Sequence, residues 1–410
     1  MPNFRFAFVP HPITGIPATL CRKYLEGNDV VTGKPLLGVI IDALTRPLSA
    51  EDRSTGIIER PTPRLVPPDT EANLHRLFLE NEWTDGLPIV LPTEERVREM
   101  LTGTSRDPQD HVGRMQASSP HEAWSYNVEQ VAVNAVMAGA KPEHLPVILA
   151  LASIGEVSLS TSTTSFARMV VVNGPIRNEI KMNSGIGALG PFNHANAVIG
   201  RAWTLISLNL GSAGKPGEIY MGSQGNNLNY NNLCMAENEE ELPEGWDPFH
   251  VQKGFRVSES VVSVFNGWTF THPDQSFGKS FHEQIPFWLK FVSPFSSATL
   301  LLDPTITRQL KENEGFNSKE QLIEWIHKNT LVTVGSWLED FYAVQNFVLP
   351  YGRQGQEPYA SWMKLPRDAK IPQIASPNNI NILSLGGGTN YFWKAGDFGH
   401  LGSVSVDKWR

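Results

Sequence analysis

Apolar residues recur along this chain at two spacings, and stretches of each kind alternate. Val128, Val131, Ala132, Ala135 and Val136 fall three and four apart, which predicts a helix over Val128 to Ala140. His144 to Ile154 is a second apolar segment, with Pro146 suited to the first turn of a helix. Asn193 to Leu210 is a third, ended by Gly211. Asp69-Thr70 and Thr93 are N-cap residues for helices running through Glu80 and Met100. Against these stand extended segments. Met169 to Val172 is an unbroken apolar run that leads through Asn173 into Gly174-Pro175, and Val261 to Phe270 alternates like a strand. Thr299 to Leu302 reads as a buried strand followed by the helix start Asp303-Pro304, and Leu322 to His327 belongs to a later helix. Asn379 to Leu385 alternates and runs into Gly386-Gly-Gly-Thr-Asn390. Helices and strands that alternate without repeats predict an α/β or α+β fold, a layered mixed sheet with packed helices.

Two proline-rich stretches, Val9-Pro-His-Pro12 and Arg60-Pro-Thr-Pro-Arg-Leu-Val-Pro-Pro68, favour extended backbone. Residues 1–66 therefore read as a loop-rich extension, functionally a partner-docking arm, with one buried element at Leu36 to Leu44. Residues 67–410 read as the main domain, long enough to fill a large core. Charge then narrows the functional classes. A formal net charge of −8 offers no basic face to a phosphate backbone, which argues against nucleic acid. No apolar run approaches the roughly 20 residues of a membrane span. The two cysteines, Cys21 and Cys234, set no disulfide framework, and the opening residues lack a secretory h-region. A cytoplasmic protein is expected, with a symmetric homo-oligomer as the default assembly.

The chemistry is concentrated in the middle third, where polar residues interrupt apolar runs. Burying amides, carboxylates and a guanidinium is costly unless each finds a partner, so this density predicts a polar pocket. Asn173 closes the first strand, Arg177-Asn-Glu follows it, and Asn183 opens a glycine-studded stretch to Gly190. On the helix from Asn193, the residues His194, Val198, Arg201 and Leu205 share one face, and Asn196 lies nearby. Arg201 is the expected bidentate anchor for a substrate carboxylate; the structural alternative is an ordinary salt bridge. Asp85 in Trp83-Thr-Asp-Gly86 reads as a turn residue. The loop Gly222-Ser-Gln-Gly-Asn-Asn-Leu-Asn-Tyr-Asn-Asn232 is rich in amides. Cys234, Glu237 and His250 supply a thiol, a carboxylate and an imidazole for acid–base or nucleophilic work, although lone cysteines are more often buried fillers. The same groups could bind a divalent metal, but no tight Cys/His spacing supports it. Gly387 lies in a glycine run that reads as an anion-binding nest; it is not a dinucleotide fingerprint.

Several longer motifs carry a family resemblance. Trp83-Thr-Asp-Gly-Leu-Pro-Ile-Val-Leu-Pro-Thr-Glu-Glu-Arg-Val97, Val131-Ala-Val-Asn-Ala-Val-Met-Ala-Gly139 with Pro142-Glu-His-Leu-Pro146, Val172-Asn-Gly-Pro175, Ala195-Asn-Ala-Val-Ile-Gly-Arg201, and Ala236-Glu-Asn-Glu239 with Trp246-Asp-Pro-Phe-His250 resemble the large region of the UGSC-type proteins. That bacterial family is named for a Sec/Cys-Gly-Ser-Cys motif, carried in a smaller domain that can precede this region. The resemblance spans about Leu74 to His250 and reaches, more weakly, Ser405-Val-Asp-Lys-Trp-Arg410. This chain has no Cys-Gly-Ser-Cys, and its Phe8-Val-Pro-His-Pro-Ile13 is similar to the tail of the small domain.

The resemblance implies thiol or selenol chemistry supplied by a separate small subunit. The expectation is a large subunit of a two-component enzyme, in the oxidoreductase or lyase/hydrolase classes, acting on a polar, anionic metabolite. His194, His250, Glu237 and Cys234 are the expected catalytic groups. Asn173, Asn183, Asn196, Arg201 and Gly387 are the expected substrate contacts. Two alternatives stand beside it. One is a self-sufficient metal-dependent hydrolase, hydratase or lyase using Cys234, Glu237, His250 and His194. The other is a non-catalytic scaffold that packs on the small partner.

Overall fold

The computed structural model describes residues 5–410 except 12, 14, 15, 51, 54–62, 117–122, 160, 161, 212, 215, 218, 219, 221, 273–278, 291 and 293–296. Pro12 and residues 60–62, parts of the two proline-rich stretches, lie outside the described residues. The chain divides into two compact units, Met1–Pro68 and Asp69–Arg410.

The first unit holds the helices Ala18–Glu26 and Leu36–Thr45. Between them, the Asp29 carboxylate accepts hydrogen bonds from the Phe8, Val31 and Thr32 amides at 2.6, 3.0 and 2.7 Å. The expected buried element is instead a helix with only Leu36 buried; Leu37, Ile41 and Leu44 are exposed. Two short helices give an apolar face too little to pack against.

In the second unit the strands, in chain order, are β1 His111–Gln116, β2 Ala123–Asn127, β3 Ala167–Asn173, β4 Cys234–Ala236, β5 Val261–Gly267, β6 Phe270–Thr271, β7 Ala298–Leu302, β8 Leu331–Thr333, β9 Lys370–Pro372, β10 Ile380–Ser384, β11 Trp393–Gly396 and β12 Gly399–Ser405. Among the described residues, β12-β5-β3-β4 form one four-stranded sheet and β10-β7-β11-β6 another. The pairs β3–β4 and β10–β7 are parallel, while β5 and β11 run antiparallel to their neighbours. β1–β2 and β8–β9 are separate antiparallel pairs.

Alternation along each strand assigns its side chains to faces. Val170, Val172, Val262, Val264 and Ala236 pack beneath the helices Val128–Met137, Leu145–Ser153 and His194–Asn209. Met169, Val171, Met235 and Phe265 of the same sheet meet Leu301 and Leu383 of the other. Leu300, Leu302, Ile380 and Ile382 face outward, under Phe281–Leu289, Pro304–Glu312 and Lys319–Asn329. The layers run helices, sheet, sheet, helices, an α+β arrangement with mixed sheets. Burying each such Val, Leu or Ile side chain contributes about 1.5–3 kcal/mol.

Local signals explain most boundaries. Thr70, Thr93, Asn127, Asp303 and Ser318 cap helices by accepting from the amide three residues on. Leu145–Ser153 is apolar all round and is buried from Leu145 through Ala152. The strand expected over Val261 to Phe270 is broken after Gly267. There the Asp397 carboxylate takes the Trp268 and Thr269 amides at 2.9 and 3.2 Å, which pulls the backbone off the ladder.

The two parallel pairs end together. Asn238, just past β4, donates its amide to Ser384 at the end of β10 (2.9 Å), and Leu385 donates to Leu302 at the end of β7 (2.9 Å). The carboxyl ends of β3, β4, β10 and β7 are thereby brought to one edge of the two-sheet sandwich, the edge where open α/β sheets place ligands.

Candidate active site

Asn173 is the last residue of β3, and its position on the strand turns its side chain toward the second sheet. Gly174 follows with φ +81°; a Cβ there would stand 2.1 Å from the Glu259 carbonyl oxygen, so the chain turns where no side chain fits. Glu237 follows β4, its amide still bonded to Val172 on the neighbouring strand at 3.2 Å. Its carboxylate is buried and accepts four hydrogen bonds. Oε1 takes Lys319 Nζ at 2.7 Å and the Ser384 amide at 3.3 Å. Oε2 takes Asn173 Nδ2 at 2.8 Å and the Phe249 amide at 2.7 Å.

Lys319 occupies the first position of its helix, where a cation opposes the helix dipole, and its side chain turns inward to Glu237. Arg177 is almost as deeply buried. It donates to the Gly174 carbonyl at 3.1 Å and the Glu237 carbonyl at 2.7 Å, pairs with Glu240 at 3.1 and 3.0 Å, and lies 3.0 Å from Glu239. Glu239 Oε1 in turn accepts from Asn173 Nδ2 and the Gly174 amide, both at 2.8 Å. Burial works to raise the Glu240 carboxyl, but hydrogen bonds from Arg177 and Asn178 outweigh it and hold its pKa at about 2. Glu237, Glu239 and Glu240 stand against Arg177 and Lys319, so three carboxylates and two cations leave one negative charge.

His250 lies against this network. It is fully buried, its Nδ1 is 3.9 Å from Glu239 Oε1, and among the described residues neither ring nitrogen has a hydrogen-bond partner. Asn173 Oδ1 and Ser384 Oγ are likewise buried and without a partner among the described residues. An imidazole, an ammonium, a guanidinium and carboxylates at one strand edge form a set able to exchange and stabilise protons. The network also reaches the surface: the side-chain exposure is 0% at Lys319 and Glu237, 12% at Glu239 and 55% at Glu240.

The structure brings Asn173, Glu237 and His250 together and places the other expected residues elsewhere. Arg201 is committed to Asp85, with Nε and Nη2 at 2.8 and 2.9 Å from its carboxylate and a further bond to the Pro88 carbonyl. It is a latch between helix and turn, not a substrate anchor, and Asp85 is its partner as well as a turn residue. Cys234 points to the helix-covered face of its sheet, away from the network, and burial raises its thiol to about 12, which disfavours the reactive thiolate. His194 is exposed at the start of its helix, with its ring 5.6 Å from that of His144. Cys234, Glu237, His250 and His194 therefore form no common ligand set. Among the described residues no group of three or more His, Cys, Asp or Glu is arranged to hold a metal ion.

Asn183, Asn196 and Gly387 have a shared structural role. Asn183 and Asn196 exchange two hydrogen bonds at 3.0 and 2.9 Å, which fixes the loop 183–193. Gly386 donates to Ser184 at 2.8 Å, and a Cβ on Gly387 would stand 2.2 Å from Ile186 Cγ1. The glycine run thus seats this loop, and no anion nest is needed to explain it. Asn238 Nδ2 donates to the Gly386 carbonyl at 2.9 Å, so the seated loop borders the charged network.

Lys319, Glu239, Glu240 and Ser384 were not expected in the site, and Arg177 was read into the polar stretch without a role. One signal in the sequence points to Lys319: a lysine directly after the cap Ser318, where acids are favoured, has reason to turn away. Arg177 is signalled by its place beyond an apolar strand. As an acidic run, Glu237 to Glu241 reads as a solvated face, and only the geometry reveals Glu237 and Glu239 as interior.

Comparison with protein-family models, with curated proteins and with solved structures gives no match.

Proposed function

We propose that this chain is the large subunit of a two-component enzyme whose acid–base centre is the strand-edge network of Asn173, Arg177, Glu237, Glu239, His250 and Lys319. The observation that carries the proposal is His250. A buried imidazole with neither nitrogen bonded among the described residues is costly, and a buried polar group of this kind beside a charged network marks a candidate reacting group. In this reading His250 transfers the proton, Glu239 stabilises its charged form, and the Asn173 and Ser384 oxygens orient a polar substrate. The expectation of an anionic substrate at this centre rested on Arg201, whose guanidinium belongs to Asp85. The substrate proposed here is therefore a neutral or weakly charged, hydrogen-bonding metabolite.

The thiol or selenol implied by the UGSC-type resemblance must come from a second chain in this proposal. Cys234 is buried and held in its thiol form. A small subunit carrying Cys-Gly-Ser-Cys is the proposed partner, and a reducing, cytoplasmic setting the proposed location. No helix among the described residues is long and apolar enough to cross a membrane.

The scaffold reading has one observation in its favour: Glu237 already has a full set of hydrogen-bond donors, as a purely structural carboxylate would. Co-expression separates the two. The chain alone and the chain with a Cys-Gly-Ser-Cys polypeptide are incubated with a panel of small polar metabolites, and product is followed by mass spectrometry. Turnover that needs both chains and is lost in His250→Gln supports the enzyme reading. Turnover undiminished in His250→Gln rejects it.

A further inference from the structure

We infer that the chain has a second ligand site, separate from the strand-edge network, that takes a singly charged organic anion with an apolar body. A cavity of about 620 Å³ opens beside the amide-rich loop, lined by Gln224, Asn226, Asn227, Trp268 and Lys394 over an apolar floor that includes Leu233. That volume lies within the range of small-molecule sites. It borders the amino end of β3 and the end of β5, where Ala167 pairs with Gly267, and so lies at the opposite end of β3 from Asn173.

The frame is preorganised. Asn226 Nδ2 donates to the Ser165 and Trp268 carbonyls at 3.2 and 2.7 Å, and its Oδ1 accepts the Leu228 amide at 3.1 Å. Tyr220 Oη accepts the Asn226 amide at 3.1 Å. Trp268 donates Nε1 to Thr164 at 2.7 Å, stacks on Phe166 with centroids 4.8 Å apart, and has its amide held by buried Asp397. The wall therefore needs no ordering when a ligand arrives, which lowers the cost of binding.

The recognition groups are left over from that frame. Among the described residues Lys394 is the one charged side chain in the lining, lies over the Phe392 ring at 5.4 Å and has no ion pair. The side chains of Gln224 and Asn227 make no hydrogen bonds among the described residues and offer neutral donors and acceptors. One ammonium matches one negative charge. Leu228, Leu233 and Phe270, which pack on the core between the sheets, give the rest of the ligand an apolar bed. A carboxylate on a ring or branched chain satisfies both halves of the lining.

The test uses full-length chain and two matched probes, benzoate and benzamide, with binding measured by ligand-observed NMR titration at low salt. Benzoate is expected to bind more tightly than benzamide, and Lys394→Gln to weaken benzoate by at least about fivefold while leaving benzamide unchanged. Lys394→Arg should retain binding. His250→Gln should bind benzoate as the wild type does, so failure here and failure of the proposed active site are separate results. Equal binding of the two probes, no benzoate binding, or full benzoate affinity in Lys394→Gln would overturn the inference.

Discussion

The Lys319 ammonium lies 2.7 Å from Glu237 Oε1, and both side chains are wholly shut off from solvent. Breaking such a pair leaves one buried charge uncompensated, whereas neutralising both removes the imbalance. Lys319→Met should therefore cost about 3–5 kcal/mol in urea unfolding. Lys319→Met combined with Glu237→Gln should recover part of that loss. A double variant less stable than Lys319→Met would contradict this account of the pair.

Arg201 and Asp85 should behave as a structural couple. Their bidentate geometry predicts a double-mutant coupling of about 1–3 kcal/mol for Arg201→Met and Asp85→Asn, read by thermal or urea unfolding. Additive effects would show that the latch contributes nothing.

Much of the layered fold was legible because burial imposes a period on the sequence. The apolar spacing of Val128 to Val136 and the unbroken run through Val172 mark a helix and the central strand it covers. The Leu36 to Leu44 segment misled because an apolar run reads as buried whether or not a second layer exists to cover it. The site divided along a similar line. Asn173, Glu237 and His250 were identifiable as polar residues flanking buried strands. Arg201 looked like an anchor because its partner, Asp85, is more than a hundred residues away and carries an ordinary turn signature. Ser384 comes from the second sheet and Lys319 from a helix packed on it, and only the meeting of strand ends brings them to Glu237.

Acid should weaken the fold through two histidines. Burial lowers the pKa of both His144 and His400 to about 4, below the ordinary 6.5. The unfolded chain then takes up protons that the folded chain refuses, so this contribution is intact above pH 6.5 and declines as pH falls from 6.5 toward 4. Asp303 and Asp397, raised by burial, act in the opposite sense, so the comparison must isolate one histidine. In His144→Asn, whose side-chain oxygen can still accept the Lys141 amide, stability should fall less between pH 7 and pH 5 than in the wild type. Identical slopes would contradict the assignment.

Cys234 should be unreactive in the folded protein. With the thiol raised to about 12 by burial, only about one molecule in ten thousand holds thiolate at pH 8. A Cys21→Ser variant should therefore leave a thiol reagent unconsumed until denaturant is added. Rapid labelling of the native variant would return Cys234 to the list of nucleophiles.

Substitution of the unpartnered imidazole tests the central claim most directly. If His250 were only a core residue, His250→Leu would relieve two unsatisfied nitrogens and do no other harm. The measurement is unfolding temperature and two-component turnover on the same preparation of His250→Leu. An unfolding temperature equal to or above the wild type's, with turnover reduced at least about a hundredfold, is the predicted result. Wild-type turnover in that stably folded variant would contradict it.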